Sequence, residues 1–183
     1  KLIFMSNDTL DQPIKQDGNL DIKSNAIKFG IIGGLGGVII SLILFFANLQ
    51  YESWSKWLQS IVMVVAIIAG IKAISDANKN KLVPFGSLFG GGMLITVIIS
   101  VISIVYFLVY SNFIETNFID NLLEVSRKQM AEKGLSEEQV DAAIEMSKKF
   151  MSPAIMTVIS LISSLIMGAI VSLIGAAIFK KEK

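Results

Sequence analysis

The chain has no cysteine and no histidine, and it contains two stretches of about 30 residues without a single charge. Each absence removes a class of function. Without cysteine there is no disulfide and no thiolate nucleophile; without histidine as well, haem ligation by His and the usual zinc site are gone. Histidine is also the commonest general base, so catalysis would have to run on carboxylates or serine. A net charge of +1 gives no basic surface for nucleic acid. The acids show no EF-hand spacing and are interleaved with basic residues, as on an ordinary wetted helix. No cofactor and no metal are expected, and the chain does not read as an enzyme.

What is present is apolar. Of 183 residues 53% are hydrophobic, and the mean hydropathy is +0.66, far above a soluble domain of this size. No charge occurs between Lys81 and Glu115 or between Lys149 and Lys180, and two shorter runs cover Phe29–Tyr51 and Trp57–Ile71. The longer gaps exceed the ~20 residues a helix needs to cross a ~30 Å hydrocarbon core. The fold class is therefore an all-α integral membrane protein with four spans, at about residues 26–49, 55–75, 85–111 and 153–179. The spans lack the buried ionisable residues that mark ion and proton pathways. Tyr51, Trp54 and Trp57, with Tyr106 and Tyr110, lie where an interfacial aromatic belt belongs. The first 25 or so residues are polar, without a signal-peptide pattern, and are expected to be a flexible leader to a single domain over 26–183.

Four spans place the leader, the 76–84 loop and the tail on one side. That side carries ten basic against six acidic residues, the other six against nine. The positive-inside rule then puts both termini in the cytoplasm and the 112–152 connection outside. This connection is too long for a turn. Phe118, Ile119, Leu122, Leu123, Val125 and Met130 recur at helical spacing and stop at Gly134. Ser136 with Gln139 forms a capping-box pattern, and Val140, Ala143, Ile144, Ser147 and Met151 continue on a second helix. Ser152 and Pro153 read as N-cap and N1 of span four. The connection is expected to be an amphipathic helical hairpin, with Phe118, Leu122, Val140 and Ile144 as candidates for contact with a partner.

Small residues recur within the spans at intervals of four: Gly33, Gly37 and Ser41 in the first, Gly92, Thr96 and Ser100 in the third. The fourth carries the longest series, Ser160, Ser164, Gly168, Ser172 and Ala176. Such ladders let backbones approach where lipid offers no hydrophobic driving force. They serve either the packing of one bundle or a contact with another subunit, and the pattern alone does not choose. Gly33–Gly37 lacks the strand and the Lys–Ser/Thr of a phosphate loop. Gly90–Gly92 invites a broken helix of the kind that lines transporter sites, against the plainer alternatives of a kink or a close helix crossing.

The segments Ala26–Gly30 and Val83–Gly86, and above all the run from Tyr110 through Gly134-Leu135-Ser136-Glu137-Glu138-Gln139 to Pro153, resemble a family of small four-pass bacterial membrane proteins, domain of unknown function 4199. The similarity covers roughly residues 24–181. It implies the four-span fold and a bacterial inner-membrane location, and it brings no catalytic or binding residues with it.

Two functions compete on this footing. The first is a non-catalytic accessory or assembly subunit that acts through helix packing and its outer hairpin. Its partners would be the lipid bilayer and either other membrane proteins or further copies of itself, with no nucleic acid. The alternative is a small oligomeric transporter or channel.

Overall fold

The structure, a computed structural model, describes residues 21–78 and 82–181. The leader expected over residues 1–25 lies outside the described residues as far as 20, as do Lys79, Lys81 and the last two residues of the tail. Six α-helices follow one another: α1 Ile22–Phe46, α2 Ser55–Ala77, α3 Phe85–Val109, α4 Phe118–Glu132, α5 Glu137–Phe150 and α6 Pro153–Phe179. Between α3 and α4 the chain widens into a π-helical turn over Tyr110–Ile114. Four of the helices, α1, α2, α3 and α6, are long and apolar enough to cross a membrane. The chain is a multi-pass, all-helical membrane protein, with α4 and α5 forming the hairpin between the last two spans.

Local chemistry sets the helix ends. The first span was expected to run to residue 49 but ends at Phe46. Asn48 takes the left-handed conformation at φ 58°, and two hydrogen bonds close a Schellman motif there: Leu49 N–H to Leu44 O at 2.8 Å and Asn48 N–H to Phe45 O at 3.0 Å. At its other end α1 begins at Ile22, one turn beyond the apolar run, and so includes the polar residues 23–25. The hairpin turn uses the same device at Gly134, with φ 81° and Leu135 N–H bonded to Met130 O. The Ser136 capping box and the Ser152 N-cap form as expected, the latter accepting from Ile155 N–H at 3.3 Å.

The spans form a bundle of rhombic section. α2 and α3 occupy the short diagonal and contact each other and both remaining spans, while α1 and α6 sit at opposite corners. Burial along the spans is one-sided. In α6 no residue before Gly168 is buried, whereas Gly168, Val171, Ser172, Gly175 and Ala176 all are. In α3 burial runs from Leu88 to Ser100 and then stops until Tyr110. Ile67, Ile71, Ile74, Leu88 and Ile95, all fully buried, fill the end near the termini.

That terminal end is also tied by hydrogen bonds. Val83 and Lys181 pair backbone to backbone in both directions at 3.0 Å. The Lys181 ammonium donates to Ser75 O at 2.6 Å, and the Ser75 hydroxyl to Phe179 O at 2.8 Å. Around the bundle's outside, residues such as Ile39, Val65, Val105, Ile159 and Ile166 are exposed, an apolar surface that a bilayer covers.

Candidate functional site

Where burial stops, the helices part and leave a cavity of about 740 Å³. Its floor lies near the middle of the spans, at Gly33, Val62, Met63, Ile99 and Met167. From Gly33 to Leu44 along α1 it climbs eleven residues, about 16 Å at 1.5 Å per residue, which is roughly one leaflet of the bilayer. Its upper wall is α4, whose Phe118, Leu122, Val125 and Gln129, spaced at three and four, present one face to the cavity. The adjoining face of α4, with Ile119, Leu123 and Met130, packs on Val140 and Ile144 of α5.

Among the described residues the lining sets uncharged polar groups in largely apolar walls and carries no charge. Serine or threonine comes from every span: Ser41, Ser55, Ser60, Ser103, Thr157, Ser160, Ser163 and Ser164, joined by Gln50, Gln59 and Gln129. Some of these hydroxyls are satisfied within their own helix, Thr157 by Pro153 O at 2.8 Å and Ser164 by Leu161 O at 2.9 Å. Two polar atoms are not. The Gln50 carbonyl oxygen is buried with no partner among the described residues, and the Tyr106 hydroxyl lies beside Ser41 without closing a well-formed bond. An unsatisfied buried polar group costs ~1–3 kcal/mol; Ser172 Oγ in the closed half is a third such atom, but only the Gln50 oxygen and the Tyr106 hydroxyl border the cavity.

The cover is anchored by one carboxylate. Glu115, 9% exposed, follows the π-helical turn and accepts from three directions. Tyr51 from the α1–α2 loop donates to one oxygen at 2.5 Å, Asn121 of α4 donates to the same oxygen at 2.9 Å, and Tyr110 donates to the other. Burial pushes the Glu115 carboxyl up, but the bonds from Tyr110, Tyr51 and Asn121 together outweigh it and hold the group below its usual range. Burial, followed by the bond to Glu115, raises the Tyr51 phenol. Around this knot Phe118 sits between rings, 5.6 Å from Phe107, 5.8 Å from Tyr110 and 6.5 Å from Tyr51.

With this geometry in view, comparison with known sequences becomes informative. The profile of DUF4199, described as proteins of unknown function, matches residues 28–181. The chain belongs to the DUF4199 family. No curated protein and no solved structure matches it. Family membership therefore leaves the function of this DUF4199 chain to its own residues.

The ladder residues separate into two groups. Gly92 meets Ser172 and Gly168 meets Thr96 so closely that an added Cβ would overlap them, and Gly33 stands equally close to Ala66. Ala176 is fully buried on the same side. Gly37, Ser41, Ser160 and Ser164 instead line the cavity, and Gly37 has nothing within 4 Å of its missing Cβ. Ser100 joins the groups, 2.8 Å from the Ser164 hydroxyl. The helix through Gly90–Gly92 is unbroken, and Gly91 and Gly92 serve close helix crossings.

Of the partner-contact candidates, Phe118 and Leu122 face the cavity, while Val140 and Ile144 are buried inside the hairpin. Among the aromatic residues, Trp54 and Trp57 stay exposed at the bundle's edge, but Tyr51, Tyr106 and Tyr110 turn inward to line the cavity. Glu115 was not singled out from sequence, where it only ends a charge-free run. Its signal is an acid within five residues of Tyr110, which a π-helical turn folds back on that tyrosine.

Proposed function

We propose that this protein is a non-catalytic membrane protein that binds an uncharged small ligand in the cavity beneath its hairpin. The observation that supports this is the cavity itself, about 740 Å³ between four spans and walled by hydroxyls and amides without a charge. Ligand sites typically occupy ~300–1,000 Å³ and combine apolar walls with a few polar groups. Beneath its floor the bundle is closed by the buried core of Ile67, Ile71 and Ile95. A carrier role would need that core to open, so binding is the primary reading and transport an extension of it.

In this reading the protein resides in a bacterial inner membrane with both termini cytoplasmic. The hairpin and the cavity mouth then face the periplasm. A second reading, an accessory subunit contacting other membrane proteins or its own copies, is favoured by the exposed apolar Met146 and Phe150 of α5.

Native mass spectrometry of protein released gently from its membranes tests the first reading. A small non-covalent adduct is expected on the wild type and on the lipid-facing variant Ile159→Trp, but not on Ser160→Trp, which fills the cavity. An adduct that persists in Ser160→Trp, or is absent throughout, contradicts it.

A further inference from the structure

Resting on the cavity as a ligand site, we propose that its ligand is a neutral single-chain amphiphile: one apolar chain carrying an uncharged, hydroxyl-bearing head. The first support is charge. Among the described residues no Asp, Glu, Lys or Arg lines the cavity. Glu115, the acid at its rim, has both oxygens committed, one to Tyr51 and Asn121 and the other to Tyr110. A charged head would enter without a counter-ion, which is costly once the head is buried under the α4 cover.

The second support is the grading of polarity with depth. Val62, Met63, Ile99 and Met167 form the floor at the middle of the membrane. The side-chain amides Gln50, Gln59 and Gln129 all sit towards the hairpin end. A molecule matching that gradient has its chain at the bilayer centre and its head under α4, as a lipid of that leaflet would lie. Methionine side chains adapt to a chain of variable shape.

The third support is the buried, unpartnered Gln50 oxygen, an acceptor that a ligand hydroxyl would satisfy; the Tyr106 hydroxyl lower down accepts or donates. Size limits the choice further. A space one leaflet deep and about 740 Å³ in volume suits one chain and a small head.

Photo-crosslinking on α6 tests the class, because its two faces report separately. The purified protein in phosphatidylcholine nanodiscs is irradiated with a monoacylglycerol bearing a diazirine in its chain, and adducts are mapped by peptide mass spectrometry. Saturable adducts are expected on the cavity face, at Met156 and Met167, and unsaturable ones on the lipid face, at Ile159 and Ile166. Unlabelled monoacylglycerol should displace the cavity adducts at a concentration at least about tenfold lower than the fatty-acid anion of equal length, a gap of about 1.4 kcal/mol. Ser160→Phe should remove the cavity adducts and leave those on the lipid face.

Adducts confined to the lipid face overturn the proposal. Equal competition by the fatty-acid anion overturns the neutral head, and displacement by glycerol alone overturns the apolar chain. The last two results leave the binding reading standing. That reading fails on its own test, when the native adduct is missing or persists in Ser160→Trp.

Discussion

The two halves of the bundle are made from the same residue types and do opposite things with them. Towards the termini, glycine and serine on α3 and α6 bring backbones into contact: Gly92 against Ser172, Gly168 against Thr96. Towards the hairpin, serine on the same faces of the same helices, Ser103 and Ser160, borders open space. The difference lies in what stands opposite. In the closed half Gly91, Gly92, Gly168 and Gly175 each meet another small residue or the tip of an isoleucine, so the helices dock. In the open half Gly37, Ser41, Ser103 and Ser160 border the cavity, and nothing stands within 4 Å of the missing Gly37 Cβ. The bulk is supplied from above instead, by the aromatic cluster around Phe118. A small-residue ladder is thus a statement about clearance, and what uses the clearance depends on the partner face.

The largest expected effect comes from breaking the closed half. Gly168→Leu drives a branched side chain into Thr96 and should destabilise the bundle by about 3 kcal/mol, read as loss of the monodisperse peak on mild heating in detergent. Next is the anchor of the cover. Glu115→Gln keeps the shape but weakens the charge-assisted bonds from two tyrosines, and should cost about 1–2 kcal/mol in equilibrium unfolding. The pH dependence has a defined sign. The Glu115 carboxyl is held below its usual range in the folded state, so its contribution is fully present above that range. It is lost as pH falls through the usual carboxylate range and below. Wild type should therefore lose stability on acidification relative to Glu115→Gln, and parallel pH profiles of the two would contradict the clamp.

Smaller effects are expected where the halves meet and within the open half. Ser164→Ala removes the hydroxyl 2.8 Å from Ser100 and should cost about 0.6 kcal/mol, typical of such pairs in membranes. Gly37→Ala, on the same ladder as the tightly packed Gly33, enters open space and should change stability by less than about 1 kcal/mol, on the stabilising side. Equal penalties for Gly37→Ala and Gly33→Ala would erase the distinction between the halves.

Much of this architecture was legible in the sequence because its causes are local. Charge-free length defines the spans, Ser136–Gln139 and Ser152–Pro153 define helix starts, and Gly134 defines the hairpin turn. The first span's end was misplaced because Asn48 stops a helix by adopting a left-handed conformation inside a still apolar run. The cavity was not legible. Ser160 and Ser172 have identical spacing on α6, and only the distance to neighbouring helices separates a lining residue from a packed one. Glu115 escaped for a related reason, since its partners Tyr51 and Asn121 come from a different loop and a different helix.

The division of the bundle into a closed and an open half can be measured directly, because the native chain offers no thiol of its own. Single cysteines in place of Ser103 and Ser160, in the open half, and of Thr96 and Ser172, in the closed half, are treated with a small water-soluble maleimide in nanodiscs. Rapid modification at Ser103→Cys and Ser160→Cys is expected, with none at Thr96→Cys or Ser172→Cys until the protein is unfolded. Equal reactivity at all four positions, or protection of Ser160→Cys and Ser103→Cys in ligand-stripped protein, would contradict the account.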